Sequence, residues 1–303
     1  MTFFKKSRIE SGIFDKINFV FMILLMLITI YPFWNTIAVS FNHATDTIRG
    51  GITFFPRVFT MNNYRTVFTT GEIYNAFFIS VARTIIQTLS GVFLTSMLAY
   101  ALSRREYILR KPFTIIIILS MYINAGLIPN FLLIVSLGMF ETFWVYIIPG
   151  MISAFNFIVV RTYISRLPDS IIESARIDGC GDFIIFIKII FPLCAPVLAT
   201  IALFIAVGAW NSWFDTMIYN SGKPILHTLQ YKLMEYLQST QTQAQSAAAI
   251  GSMGMAEDAA GSMVTPMSIR AAITVIAALP ILFVYPFLQR FFIAGISLGS
   301  IKE

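Results

Sequence analysis

Charge is what this sequence has least of. Only 12% of its 303 residues are Asp, Glu, Lys or Arg, against 57% hydrophobic, and the mean hydropathy is +0.77. A soluble domain carries about 25% charged residues. There is too little polar surface here to clothe a water-soluble fold of this length, which excludes the ordinary soluble enzyme. Histidine is nearly absent: His43 and His227 lie far from each other and from the two cysteines, Cys180 and Cys194. Neither a metal site nor a disulfide framework can be assembled from so few, and the cysteines read as small, partly buried thiols. No G-x-x-x-x-G-K-[ST] phosphate loop occurs, and the tail "GISLGSIKE" is not one. No cofactor is therefore expected on this chain. The net charge of +6 is spread along the sequence rather than gathered in a patch, so nucleic acid is not an expected partner.

What is present is apolar sequence in long runs. Stretches able to cross about 30 Å of hydrocarbon occur at approximately 17–39, 84–103, 113–136, 142–163, 189–210 and 270–292. These are continuous runs rather than alternating ones, so an all-α membrane protein of six transmembrane helices is expected. The first run is longer than the core of a cleaved signal peptide and is expected to remain as a span.

Basic residues set the orientation. Lys5, Lys6, Arg8, Lys16, the linker Arg104, Arg105, Arg110 and Lys111, then Arg161, Arg166, Arg176 and Lys188, and finally Arg290 and Lys302 fall on one side of that six-span order. Arg49, Arg57, Arg65, Lys223, Lys232 and Arg270 fall on the other. The side with fourteen is the inside, so both termini are expected in the cytoplasm. Trp34, Trp144, Trp210 and Trp213 then all fall at the outer interface, where tryptophan is favoured. Arg83, just before the charge-free run "TIIQTLSGVFLTSMLAYALS", is expected to snorkel there; a buried functional arginine is the alternative. Prolines in or beside the runs (Pro32, Pro129, Pro149, Pro192, Pro196, Pro280, Pro286) read as ordinary kinks or as hinges. Of the outer segments, 40–73 has room for short helices. The longer 211–269 contains "ILHTLQYKLMEYL", with leucines at helical spacing, followed by a polar, small-residue stretch that either docks a soluble partner or simply connects.

Between the fourth and fifth runs stands "PDSIIESARIDGCGDFIIFIKIIFP". Ser170 followed by Glu173 has capping-box spacing, so a helix is expected to start near Ser170. Ile171, Ile172 and Ala175 mark its apolar side; Glu173 and Arg176 mark a polar one. Gly179 offers the left-handed backbone that ends helices, and Asp182 can cap a second helix. The expected object, over 168–188, is a stiff helix–glycine–helix elbow on the cytoplasmic side. It serves either as a knob for a partner's groove or as a helix resting on the membrane surface. Its carboxylates have no histidine or metal cluster nearby, which excludes catalysis. Elsewhere, Asn124, Asn130, Asn156 and Asn211, with Trp210, lie in or at the ends of the runs. Amides and aromatic faces suit a sugar path; hydrogen bonding between helices is the plain alternative.

These residues carry a resemblance. Glu173-Ser174-Ala175, Gly179, Ile189 and Phe191-Pro192 are similar in spacing to the E-A-A-x3-G-x9-I-x-L-P signature of membrane subunits of binding-protein-dependent ABC importers. Ser174 and Phe191 depart from its Ala and Leu. "NAGLIPNFLLIVSLGMFETFWVYIIPG", "AWNSWFDTMIY" and "YPFLQRFFIAGISLGSIKE" resemble the carbohydrate-importer permeases, on the branch of the maltose transporter's second membrane subunit and its polysaccharide and complex-oligosaccharide importers. The resemblance implies a type I importer transmembrane domain in a bacterial cytoplasmic membrane, paired with a homologous second permease. It also implies two cytoplasmic ATPase subunits holding ATP and Mg, and an extracytoplasmic binding protein delivering a sugar. Glu173, Ser174, Ala175, Arg176, Asp178 and Gly179 would form the helix that couples to the ATPase. The tail at Gly295, Gly299 and Lys302 would reach toward the ATPases, and 211–269 would face the binding protein. In the maltose relatives substrate contacts lie largely on the partner subunit. An importer of amino acids or peptides remains the alternative within the class. An ion-coupled secondary transporter is the alternative outside it, which would require buried ionisable residues at mid-span.

Overall fold

The computed structural model describes residues 3–69, 71–250, 265 and 267–283. Helices account for the regular structure among the described residues. They are α1 (Phe3–Ser40), α2 (Ala44–Ile48), α3 (Asn62–Thr69), α4 (Glu72–Ser103), α5 (Arg110–Leu119), α6 (Leu127–Ser136), α7 (Ala154–Ile164), α8 (Asp169–Ile177), α9 (Asp182–Ile185), α10 (Phe191–Leu193), α11 (Ala195–Asn211), α12 (Phe214–Tyr219), α13 (Leu229–Ile250) and α14 (Met267–Phe283). One isolated bridge, Asn42 with Phe59, is the extent of strand-like pairing described. The chain divides into two compact units, Met1–Thr70 with Tyr236–Ile276, and Gly71–Glu235 with Ala277–Glu303.

In the first unit α1 has 38 residues, about 57 Å at 1.5 Å per residue. Its apolar stretch Phe14–Ser40 has a mean hydropathy of 2.1 over its best 18 residues, none of which the protein buries. That surface suits lipid. The chain after α1 is tied by side-chain hydrogen bonds beside a few buried apolar residues, among them Ala44 and Val67. Asn63 Nδ2 donates to the carbonyls of Ser40 (2.8 Å) and Asn42 (2.9 Å), and the Trp34 indole donates to Phe54 O (2.7 Å). The expected short helices of 40–73 are α2 and α3.

In the second unit α4 is the axis. It begins at Glu72, twelve residues before the expected span, and its 32 residues extend about 48 Å. It packs against α7 and α11. The core there joins Tyr100 and Leu102 of α4 to Phe157 and Ile164 of α7 and to Ile201 of α11. Because α4 starts early, Arg83 lies well inside it. It is 2% exposed, and it does not snorkel. Its guanidinium pairs with Asp215 of α12, donates to Ser212 O (3.3 Å) and lies over the Tyr146 ring (4.7 Å). The charge is tolerated in the interior because its partner came with it.

The remaining apolar runs are broken. Run 113–136 resolves into α5 and α6, parted by Gly126 at φ 87°. Run 142–163 is two 3-10 turns, Phe143–Tyr146 and Ile148–Gly150, bent by 45° from α7. Run 189–210 begins earlier, at Asp182. It passes through a π-helical turn at Phe186–Ile190, and bends by 82° before α11. Proline explains the last two breaks: Pro149, Pro192 and Pro196 have no amide to continue the ladder, and each ring crowds the preceding turn. Among the described residues two helices are unbroken and long enough to cross a membrane, α1 and α4, or up to four if each bent pair crosses as one. Hydropathy windows measure apolarity and pass over such breaks. Of the last run, α14 is described to Phe283; Pro286 and the rest of 284–292 lie outside the described residues. Likewise α13 continues to Ile250, through residues expected to be a polar connector. Lys232, buried near its start, bonds Glu72 and Glu235, both at 2.9 Å. Burial alone would lower the Lys232 pKa, but the two carboxylates more than offset this and raise it.

The Arg83–Asp215 pair is asymmetric: the arginine side chain is 3% exposed, the aspartate 36%. Asp215→Ala strands a buried cation, at a cost of about 1–3 kcal/mol, reduced from the fully buried case by the solvent that reaches Asp215. Arg83→Met leaves a carboxylate that water can reach. The expected result is a larger drop in Tm for Asp215→Ala than for Arg83→Met, measured on purified protein in nanodiscs.

Candidate functional site

The segment 168–188 forms the elbow, with differences in its caps. α8 starts at Asp169 with Pro168 at the N-cap, and no side chain caps it. Ser170 lies inside the first turn, so the expected capping box does not form. Proline's fixed φ of −60° begins the helix instead. Asp182 does not cap α9 either; Gly181 holds that position, and Asp182 accepts from Arg176 Nη2 (3.1 Å). The exit from α8 is as expected. Gly179 has φ 80°, its N–H bonds Arg176 O (3.0 Å), and the Cys180 N–H bonds Ala175 O (3.0 Å). These are the paired bonds of a Schellman ending.

The base of the elbow is packed: Ile172 and Ala175 are buried in the same core as Tyr100, Ile164 and Ile185. Its crest is open: Glu173, Ser174, Asp178 and Gly179 are exposed, and Ile177 is 86% exposed, an apolar side chain presented at the tip. Ser174, where the signature has Ala, bonds back to Ser170 O (2.8 Å) and keeps its helix. Arg176 is exposed and turned along the protein surface toward the end of α4. Nη1 and Nη2 grip Glu106 Oε1 and Oε2 at 2.7 and 3.0 Å. Arg104 adds a looser pair with Asp169 (3.7 Å). The linker after α4 is thereby latched to the elbow. Nothing local in the sequence pointed to Glu106, which lies 70 residues from its partner.

The latch is electrostatic, with clear directions. Hydrogen bonds from Arg176 hold the Glu106 carboxyl below its usual 4.5, and those carboxylates push the Arg176 guanidinium still higher. A depressed carboxylate stabilises the fold above its unfolded pKa and ceases to do so as pH falls through its folded one. The latch is therefore closed throughout the neutral range.

The expected path residues do not converge. Asn124 is exposed and its Oδ1 accepts from the Gly126 N–H (2.9 Å), making the turn between α5 and α6; Asn130 is exposed one turn on. Trp210 is buried, and its indole donates to Ala277 O (3.0 Å). Asn211, at the end of α11, accepts from Gln230 (3.4 Å). Asn156 alone lines a cleft, of about 460 Å3, between α4, α7 and α11. Its neighbour there is Gln87, absent from the sequence expectations although Thr84, Gln87, Thr88, Gly91 and Thr95 share one helical face. Gly295, Gly299 and Lys302 lie outside the described residues.

Arg176→Ala is expected to raise amide exchange in 104–109 and 176–182. Tm should fall by no more than about 2–4 °C, since exposed pairs contribute under about 1 kcal/mol. The protection lost should be independent of pH between 6 and 8 in hydrogen-exchange mass spectrometry.

Comparison with known proteins supplies the family. The model of the "binding-protein-dependent transport system inner membrane component" matches residues 91–298. The polygalacturonan/rhamnogalacturonan transport system permease protein YtcP of Bacillus subtilis is 36% identical over 97% of this chain and 99% of its own. The arabinooligosaccharides transport system permease protein AraQ of Halalkalibacterium halodurans is 28% identical over 92% and 93%. A chain in the crystal structure of a bacterial ABC transporter that imports the acidic polysaccharide alginate superposes with a TM-score of 0.82 at 26% identity, covering 93% of this chain and 98% of that one. The fold is that of a type I ABC importer permease, and the chain belongs to the family of binding-protein-dependent transport system inner membrane components.

Proposed function

We propose that this chain is the membrane-spanning permease subunit of an ATP-driven importer of oligo- or polysaccharides, and that it works through the elbow. As a permease it is a transport component and not an enzyme. The saccharide class follows the relatives, whose names specify polygalacturonan/rhamnogalacturonan and arabinooligosaccharides, and the solved importer, which is involved in import of alginate. That concordance, over nearly the whole chain, disfavours amino acids or peptides as the solute. An ion-coupled carrier is disfavoured because Arg83, the charged group buried inside α4, is neutralised by Asp215.

In this reading the chain crosses a bacterial cytoplasmic membrane six times, with both termini inside. A homologous second permease completes the path, a binding protein delivers sugar to the outer segments 211–269, and two ATPase subunits hold the ATP and Mg. The observation that carries the coupling role is the shape of the elbow: a buried base, a rigid glycine ending and an exposed apolar tip at Ile177. Apolar tips seated in partner pockets dominate interface energies. A Cβ built on Gly179 meets nothing within 4 Å inside this chain. Crowding there would thus fall on a docked partner, apart from the local strain of an L-residue at φ 80°. Nucleotide-driven closure of the ATPases would bring the two elbows together and swing the bent helix pairs, biasing a two-state bundle.

Two variants test this on the assembled complex. Ile177→Glu and Gly179→Trp are each expected to reduce ATPase co-purification and sugar uptake by at least tenfold. Ile177→Glu should leave the Tm of the permease pair within about 2 °C, since it alters an exposed site. Retention of both assembly and uptake by both variants would exclude the elbow as coupler. For sidedness, Ser174→Cys in a Cys180→Ala background should react with an impermeant maleimide in inside-out vesicles and not in intact cells.

A further inference from the structure

The cleft at Gln87 and Asn156 has a chemistry that no role assigned so far uses. Gln87 stands at the middle of α4, within one residue of midway between Glu72 and Ser103, so in a membrane-crossing helix its amide sits near the bilayer centre. Its Oε1 is buried without a hydrogen-bond partner. An unpaired amide there costs several kcal/mol in lipid or protein interior. Asn156, 5% exposed, lines the same cleft from α7, together with Ser153. Phe155 and Phe204 frame it with rings 6.3 Å apart and tilted by 45°, both about half exposed. Two glycines keep it open. A Cβ on Gly150 would collide with the Gln87 amide, and one on Gly208 would meet nothing within 4 Å. The volume, about 460 Å3, lies within the range of about 300–1,000 Å3 typical of small-molecule sites. No charged side chain lines it.

We propose that this cleft is a sugar subsite on this subunit, in which the amides of Gln87 and Asn156 and the hydroxyl of Ser153 bond the hydroxyls of one passing sugar ring. Phe155 and Phe204 receive its C–H face. Amides donate and accept at once, as sugar hydroxyls do. With no cation in the lining, the subsite reads hydroxyls rather than carboxylates. It therefore serves neutral and acidic saccharides alike, and any selection for acid groups lies elsewhere. The proposal rests on the sugar-permease reading above and adds that this subunit, not only its partner, touches the cargo.

The test uses the full complex of both permeases, ATPase and binding protein in proteoliposomes, with labelled oligogalacturonides and arabino-oligosaccharides as probes. Gln87→Leu and Asn156→Leu should each raise the KM for uptake about tenfold, the factor that about 1.4 kcal/mol of lost binding gives, and Gln87→Asn should recover part of the loss. Gly208→Leu should block uptake while the complex still assembles. Stability separates a ligand role from a structural one: Gln87→Leu removes an unpaired buried polar atom, so Tm should rise or hold, whereas a structural amide would lower it. Unchanged KM in these variants, against a transporting wild type, overturns the subsite and leaves the permease reading intact. Failure of Gly208→Leu to assemble also overturns it, since the cleft would then be a seat for the second permease. A wild-type complex that imports neither probe overturns the sugar reading and the subsite together.

Discussion

A solvent of hydrocarbon offers no hydrogen bonds, and this constraint explains both the unbroken helices and the broken ones. α1 presents an apolar surface on every side and is continuous through its apolar stretch. Where α5 and α6 part, Asn124 accepts from the Gly126 N–H, and between α11 and α14 the Trp210 indole donates to Ala277 O. The same constraint turns Arg83 inward. A buried cation there persists because Asp215, Ser212 and the Tyr146 ring surround it. Exceptions to full satisfaction then become informative, and Gln87 Oε1 is one of them.

The elbow gains its stiffness from two different sources. Ile172 and Ala175 seat it in the core shared by α4, α7 and α11, which supplies most of the energy through buried apolar area. The Arg176–Glu106 and Arg104–Asp169 pairs contribute little energy, but the first fixes direction, because its bidentate guanidinium holds the carboxylate in one plane. A force applied at Ile177 is thus delivered to the end of α4. Gln87 lies on that helix, about 24 Å from its end at Ser103. One rigid element thereby links the place where a partner would push to the place where cargo would pass.

Local features were legible in the sequence. The left-handed glycine at 179 ends α8 because only a few residues around it are involved, and the apolar side at Ile172 and Ala175 follows from helical spacing. The capping box failed at the same scale: Pro168 competes for the helix start and wins by its fixed backbone angle. Six apolar runs were legible too, but windows of hydropathy do not register the breaks made by Pro149, Pro192 and Pro196.

Apolar periodicity and charge bias are sums over neighbouring residues, so class, helicity and the elbow could be read from them directly. The latch between Arg176 and Glu106, the neutralisation of Arg83 by Asp215 and the meeting of Gln87 with Asn156 span separations of 70, 132 and 69 positions. Each is decided by how α4 and the linker after it pack against α7, α8, α11 and α12. That packing depends on the bend angles of the broken helices, and bend angles are set by contacts between residues far apart in the chain, which no local pattern encodes.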